Sequence, residues 1–215
     1  MSQSTSLILV RHGESAWNRD GRYQGRIDIE LSPLGRDQAA LVGQRLADRP
    51  LSAIYASPLL RAMDTAQAIA TYHNLQVVPE GEVTEFDHGV WSGLLRDEIQ
   101  ERFADDLETW INKPTRLKVD GAEMLHDVAE RAQRSISAII RKHPGQTIVV
   151  VSHDLVIKVI MALAMGMDLD RVWFIKLDNA SVSELEYGER GVRLVSLNDV
   201  CHLGSRVSDI ARQAL

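Results

Sequence analysis

The sequence predicts an α/β protein, a three-layer α/β/α arrangement around a mainly parallel, mixed sheet that ends in an antiparallel hairpin. Two observations carry the prediction. Short apolar, β-branched runs alternate with segments of helical periodicity along most of the 215 residues. Near the carboxyl end that alternation gives way to two strand-like runs, Ser181–Tyr187 and Val192–Leu197, around Gly188 and Gly191.

Ser6–Val10 is a short apolar run ending at charged residues, as a buried strand does. Ser32-Pro33 and Ser57-Pro58 both look like helix starts, a hydroxyl able to cap and a proline at the first helical position. Helices are expected after each, with Ala53–Ala56 as a strand between them and Leu75–Val78 as a third strand. Leu125, Val128, Ala129, Ala132, Ile136, Ile139 and Ile140 recur at helical spacing until Pro144-Gly145. Thr147–Val151 reads as a central strand buried on both faces, and Leu155–Ala164 as a buried helix stopped by Gly166. Val172–Leu177 reads as a further strand, an edge on which two copies could pair as a homodimer. With no repeat or Gly/Ser linker, residues 1–215 are expected to form one domain.

Composition narrows the functional classes. One cysteine allows no intrachain disulfide and no four-cysteine metal cage, which suits a reducing cytoplasm. No targeting signal is legible at the amino terminus, and no apolar run reaches membrane-spanning length. The formal charge of −6 speaks against nucleic acid and anionic membranes as partners. It does not speak against a small anionic substrate, because net charge describes the surface and not one pocket.

The basic residues fall at informative places. Arg11-His12 follows the first strand, Arg61 lies in the first turn of the helix after the second, and His153 follows Thr147–Val151. Ligands of open α/β sheets sit outside the carboxyl ends of the strands, so these groups should converge on one edge, joined by helix N-termini. Guanidinium forks match tetrahedral oxygens, which makes phosphate the leading anion. A neutral imidazole can attack phosphorus directly, and the leaving alkoxide then needs a proton from a carboxylic acid. Spacing leaves Glu14, Glu82, Glu85 and Asp87 all open for that acid.

Arg11-His12-Gly13-Glu14 with Trp17-Asn18 resembles the signature of the histidine phosphatase superfamily, the phosphoglycerate-mutase-like enzymes. The resemblance continues in order through Gln24-Gly25, Asp28, Leu31-Ser32, Gly35, Ser57-Pro58-Leu59, Arg61, Thr65-Ala66, Glu85, Gly89, Trp91, Gly93, Gly121, Glu123, Ser152-His153 and Asn179-Ala180-Ser181. It implies that His12 is the phosphorylated nucleophile, and that Arg11, Arg61 and His153 hold the phosphoryl oxygens. It further implies Asn18, Gln24 and Gly25 in the phosphate-binding set, Glu85 as proton donor and then base, and no metal or other cofactor. Two positions depart from the family pattern. Asp154 stands where glycine is common; its backbone N–H can still bind phosphate, but its carboxylate must be turned away or paired. Met124 stands where a small hydroxyl residue is common.

The expected activity is phosphomonoester hydrolysis on a small phosphorylated metabolite through a phosphohistidine. A phosphoglycerate mutase is the alternative, and a phospho-ligand-binding regulatory protein is the third. The compact segment at about 94–120 should cover the pocket as a lid, with Lys113, Arg116 and Lys118 either reading a substrate carboxylate or simply solvated. Glu14 is expected to support the basic residues beside it. Asp87-His88 lacks a third metal ligand and reads as a solvated loop, and His73, His126 and His143 as exposed or capping groups. Cys201 reads as a small buried or tail residue. The four tryptophans read as packing, with Trp17 and Trp91 flanking site segments.

Overall fold

A computed structural model describes residues 4–209. In chain order the elements are β1 (Thr5–Arg11), α1 (Ala16–Asp20), α2 (Pro33–Leu46), β2 (Ala53–Ala56), α3 (Leu60–Ala70), β3 (Val77–Pro79), α4 (Arg96–Arg102), α5 (Ala104–Asn112), α6 (Leu125–Lys142), β4 (Thr147–Ser152), α7 (Asp154–Met165), β5 (Val182–Gly188) and β6 (Gly191–Asp199). The strands form one six-stranded sheet in the order β3-β2-β4-β1-β5-β6. The first four are parallel, and β5 and β6 add the antiparallel edge.

The alternation of side chains along each strand feeds two cores, one on either face. Leu7, Leu9, Ile148 and Val150 join α6 and α7 on one side, while Ile8, Val10, Val149 and Val151 meet α2 and α3 on the other. The expectation of a doubly buried β4 and of layers on both faces is met. The apolar stripe of α6 is buried from Leu125 through Ile139, and Gly166 ends α7 in the left-handed conformation (φ 64°) that glycine adopts without cost. Among the described residues, no helix is long and apolar enough to cross a membrane.

Three local expectations are corrected. Ser57 does not cap α3; the N-cap is Leu59, with no side-chain hydrogen bond, and the Ser57 hydroxyl serves His153 instead. The third strand is Val77–Pro79, shifted along the chain because Val77 pairs with Ile54 of β2. Residues Leu169–Phe174 form 3₁₀ turns where Val172–Leu177 reads as a strand. The Asp168 carboxylate accepts the Asp170 N–H and starts those turns, overriding the β-branched run that follows. The edge proposed for pairing two copies is therefore no strand; β3 and β6 are the sheet's edges.

One close approach fixes the geometry around the first strand's exit. A Cβ on Gly35, in the first turn of α2, would lie 1.9 Å from the Glu14 carbonyl oxygen, and one on Gly13 would lie 2.4 Å from that of Gly35. The loop after His12 thus rests directly on α2. Gly35→Ala must push backbone against backbone, so it is expected to cost about 3 kcal/mol. Urea unfolding of the variant checks this as a lowered midpoint at unchanged slope.

Candidate active site

The register of the parallel strands assembles the site. Arg11 is level with Ser152, so the next residues, His12 and His153, emerge side by side, with ring centroids 5.1 Å apart. Ala56 is level with Val151, which brings Ser57 alongside them, its hydroxyl 2.7 Å from His153 Nε2. Arg61 follows in the first turn of α3. A small pocket opens here, lined by Arg11, His12, Asn18, Gln24, Gly25, Arg61, Glu85 and Asp154 from the sequence-derived set. His153, fully buried, stands behind that lining against the His12 ring.

His12 is held in one orientation and one tautomer. Its Nδ1 donates to the Gly13 carbonyl at 2.7 Å, which fixes the tautomer and leaves the Nε2 lone pair. Burial, then the Arg61 and Arg11 charges, holds the imidazole well below the ordinary histidine range, outweighing the pull of the Gly13 bond. His153 is lowered in the same way, by burial first and Arg61 next. Both rings therefore favour the neutral form, and the arginines supply the positive charge.

Those arginines are aimed by backbone carbonyls. Arg11 Nη1 donates to Leu177 O at 2.6 Å and lies 3.3 Å from Asp154 Oδ1. Arg61 donates to Ile27 O at 3.0 Å and Gly25 O at 2.8 Å, so Gly25 positions the guanidinium as well as lining the pocket. Burial brings the Arg61 pKa down to about 10, still charged at neutral pH. Asn18 closes the α1 capping box with Ser15, and its Oδ1 accepts from Ser15 and Asn179. Gln24 Oε1 accepts from the Ser15 hydroxyl at 2.7 Å. In both amides the oxygen is engaged, which leaves NH₂ donors for an anion.

Of the four acids left open by spacing, only Glu85 lines the pocket. Glu82 pairs with Arg134 on the surface, Asp87 bonds the Gly89 N–H, and Glu14 accepts from Ser32, the cap of α2. Glu14 therefore braces the α2 contact instead of the neighbouring basic residues. The Glu85 backbone is pinned by Arg131 of α6, which donates to the Glu85 and Glu82 carbonyls and grips Glu123 at 2.7 and 3.0 Å. Burial raises the Glu85 carboxyl above the usual carboxylate range; the Phe86 N–H, Arg61 and Arg11 oppose this, and Asp154 adds to it.

Five further residues line the pocket that the sequence reading did not place there, Leu155 of α7 and four polar or aromatic groups. Arg22 lines the pocket with its Nη1 on Gly93 O at 2.8 Å. His88 is not a solvated loop residue but packs among Tyr23, Phe86 and Trp110, its imidazole brought down to about 3 chiefly by burial. Trp110 of α5 and Trp173 complete a wall, with ring centroids 4.8 Å apart. Trp17 and Trp91, by contrast, pack away from the lining, Trp17 against Gly93 and Trp91 wholly buried. Lys113, Arg116 and Lys118 are exposed and outside the lining, so the solvated reading holds for them. Among the described residues no group of three or more His, Cys, Asp or Glu is arranged to hold a metal ion. Cys201 is exposed, and His143 bonds Tyr55 and Gln146 at the end of α6. Met124 is the N-cap of α6 and makes no side-chain cap bond there.

Comparison with known proteins places this geometry. The model of the histidine phosphatase superfamily (branch 1) matches residues 7–200. The chain is 41% identical to phosphoserine phosphatase 1 of Hydrogenobacter thermophilus over 92% of its own length and 94% of that protein. It is 33% identical to a metal-independent phosphoserine phosphatase of Arabidopsis thaliana, over 95% and 85%. Among solved structures, Bacillus stearothermophilus YhfR superposes with a TM-score of 0.89 at 30% identity, covering 93% of this chain and 99% of that one.

Proposed function

The chain belongs to the histidine phosphatase superfamily and is a phosphatase of small phosphorylated metabolites, and we propose that it hydrolyses them through a phosphohistidine at His12, with phosphoserine as its substrate. One observation carries the mechanism: a buried, neutral imidazole, tied through Nδ1 to the Gly13 carbonyl, in a pocket that also holds Arg11 and Arg61. Nε2 attacks phosphorus while the two guanidinium groups, the Asn18 and Gln24 amides and the Asp154 backbone N–H take the phosphoryl oxygens. His153 Nδ1, without a partner in the structure, supplies a further donor as charge develops. Glu85, whose burial favours the protonated form, gives its proton to the leaving alkoxide. The resulting carboxylate takes a proton from water as that water attacks the phosphohistidine. No step in this scheme calls for a metal.

Phosphoserine is favoured by the named activity of the 41%-identical relative and by Arg22, a third guanidinium beyond those of the phosphate cradle that fits a carboxylate. The segment 94–120 closes the pocket with Trp110, the role of a lid. The lone exposed cysteine suits a cytoplasmic setting.

The test is steady-state hydrolysis of phosphoserine, 3-phosphoglycerate and p-nitrophenyl phosphate, with and without a chelator. A chelator-insensitive kcat/KM for phosphoserine at least about tenfold above the other two is expected. Phosphoglycerate isomerisation outpacing phosphate release would replace this reading with the mutase, and phosphate binding without turnover would replace it with the regulatory protein.

A further inference from the structure

Asp154 and Lys158 stand one helical turn apart at the start of α7, and both are buried, at 6% and 3% exposure. Asp154 lines the phosphate pocket, where a bare carboxylate would oppose the incoming phosphoryl group. It is not bare. Oδ1 lies 3.3 Å from Arg11 Nη1, and Oδ2 accepts from Lys158 Nζ at 2.7 Å. A buried ammonium is itself unfavourable without a partner, so the pair is mutually required. The Lys158 ammonium also lies 4.9 Å from the centre of the Trp173 ring, whose indole N–H donates to Trp110 O at 2.7 Å. A continuous path therefore runs from Arg11 through Asp154 and Lys158 to the tryptophan wall.

We propose that Lys158 is a positioning residue of the phosphate site: by offsetting the Asp154 charge it lets that carboxylate steady Arg11 without repelling the phosphoryl group. Lys158 reaches no substrate atom and acts only through Asp154. The inference rests on the reading that this pocket binds phosphate.

Inorganic phosphate, as a competitive inhibitor of p-nitrophenyl phosphate hydrolysis, is the probe. If it fails to inhibit the unaltered protein, the reading of the pocket falls; the outcomes that follow bear on Lys158 alone. Lys158→Met, folded by circular dichroism, is expected to raise the phosphate Ki about tenfold, because Asp154, left with Arg11 as its partner, then draws on the positive charge that meets the anion. Lys158→Arg keeps the ion pair and should stay within about twofold of the parent. The double variant Lys158→Met/Asp154→Asn removes both charges together and should recover most of the lost affinity. An unchanged Ki in Lys158→Met, or a double variant as weak as the single, would overturn the proposal, the latter leaving Lys158 only a packing role against Trp173. Should Lys158→Met fail to fold, Asp154→Asn decides: a lower Ki for phosphate with a lower kcat supports the proposal, and no change in either refutes it.

Discussion

His12→Ala is expected to lower kcat at least about 10⁴-fold, the largest effect of any single substitution in this protein. Loss of the imidazole removes the only route to a covalent phosphoenzyme in the scheme, while Arg11 and Arg61 stay fixed by Leu177, Gly25 and Ile27. Phosphate binding should therefore outlast catalysis. Rapid quench of the parent protein with p-nitrophenyl phosphate, followed by intact mass measurement under alkaline conditions, should show one phosphoryl adduct per chain and none on the variant. An adduct on the variant, or turnover within tenfold of the parent, would place the nucleophile elsewhere. A Cβ in place of the ring also opens a void beside His153, so thermal unfolding of the variant separates lost chemistry from lost fold.

The parts of this site that were legible in the sequence are those dictated by strand ends. Arg11, His12 and His153 follow directly from locating β1 and β4, since parallel register makes the residues after Arg11 and Ser152 neighbours. What stayed hidden depends on contacts between distant segments. The Glu85 loop shows no periodicity because its anchor is Arg131, forty-six positions away on the exposed-looking side of a helical pattern. His88 looks like a loop residue until Tyr23, Phe86 and Trp110 close around it. Val172–Leu177 misleads for a different reason. Its β-branched and aromatic composition describes a half-buried surface, and 3₁₀ turns held by Asp168 can bury Val172 just as a strand can, while leaving Phe174 exposed. Ser57 shows the same ambiguity at one residue. A Ser-Pro step is a fair cap signal, and only the placement of β2 against β4 reveals that the hydroxyl belongs to His153.

Glu85→Gln is expected to separate the two half-reactions. Burial holds the Glu85 carboxyl above the usual carboxylate range, so its proton persists to higher pH than in a solvated glutamate. Burial together with Arg61 and Arg11 holds His12 well below its ordinary range, so the nucleophile stays neutral to lower pH. Activity of the parent protein should thus rise as His12 loses its proton and fall as Glu85 loses its own, with the working range between the two. Glutamine keeps the shape and cannot titrate. It neither protonates an alkoxide nor accepts a proton from water, and kcat for an alkyl ester such as phosphoserine should drop about 10²- to 10⁴-fold. p-Nitrophenolate departs without a proton, so phosphorylation of His12 by that ester should survive while hydrolysis of the phosphohistidine slows. Stopped-flow mixing is then expected to show a burst of one nitrophenolate per active site before a slow steady state, and the variant's residual turnover of phosphoserine should lose the fall at high pH. A variant that turns over at the parent rate with the same high-pH fall would remove Glu85 from proton transfer, and Asp154 would become the carboxylate to test next, being the other acid in the lining.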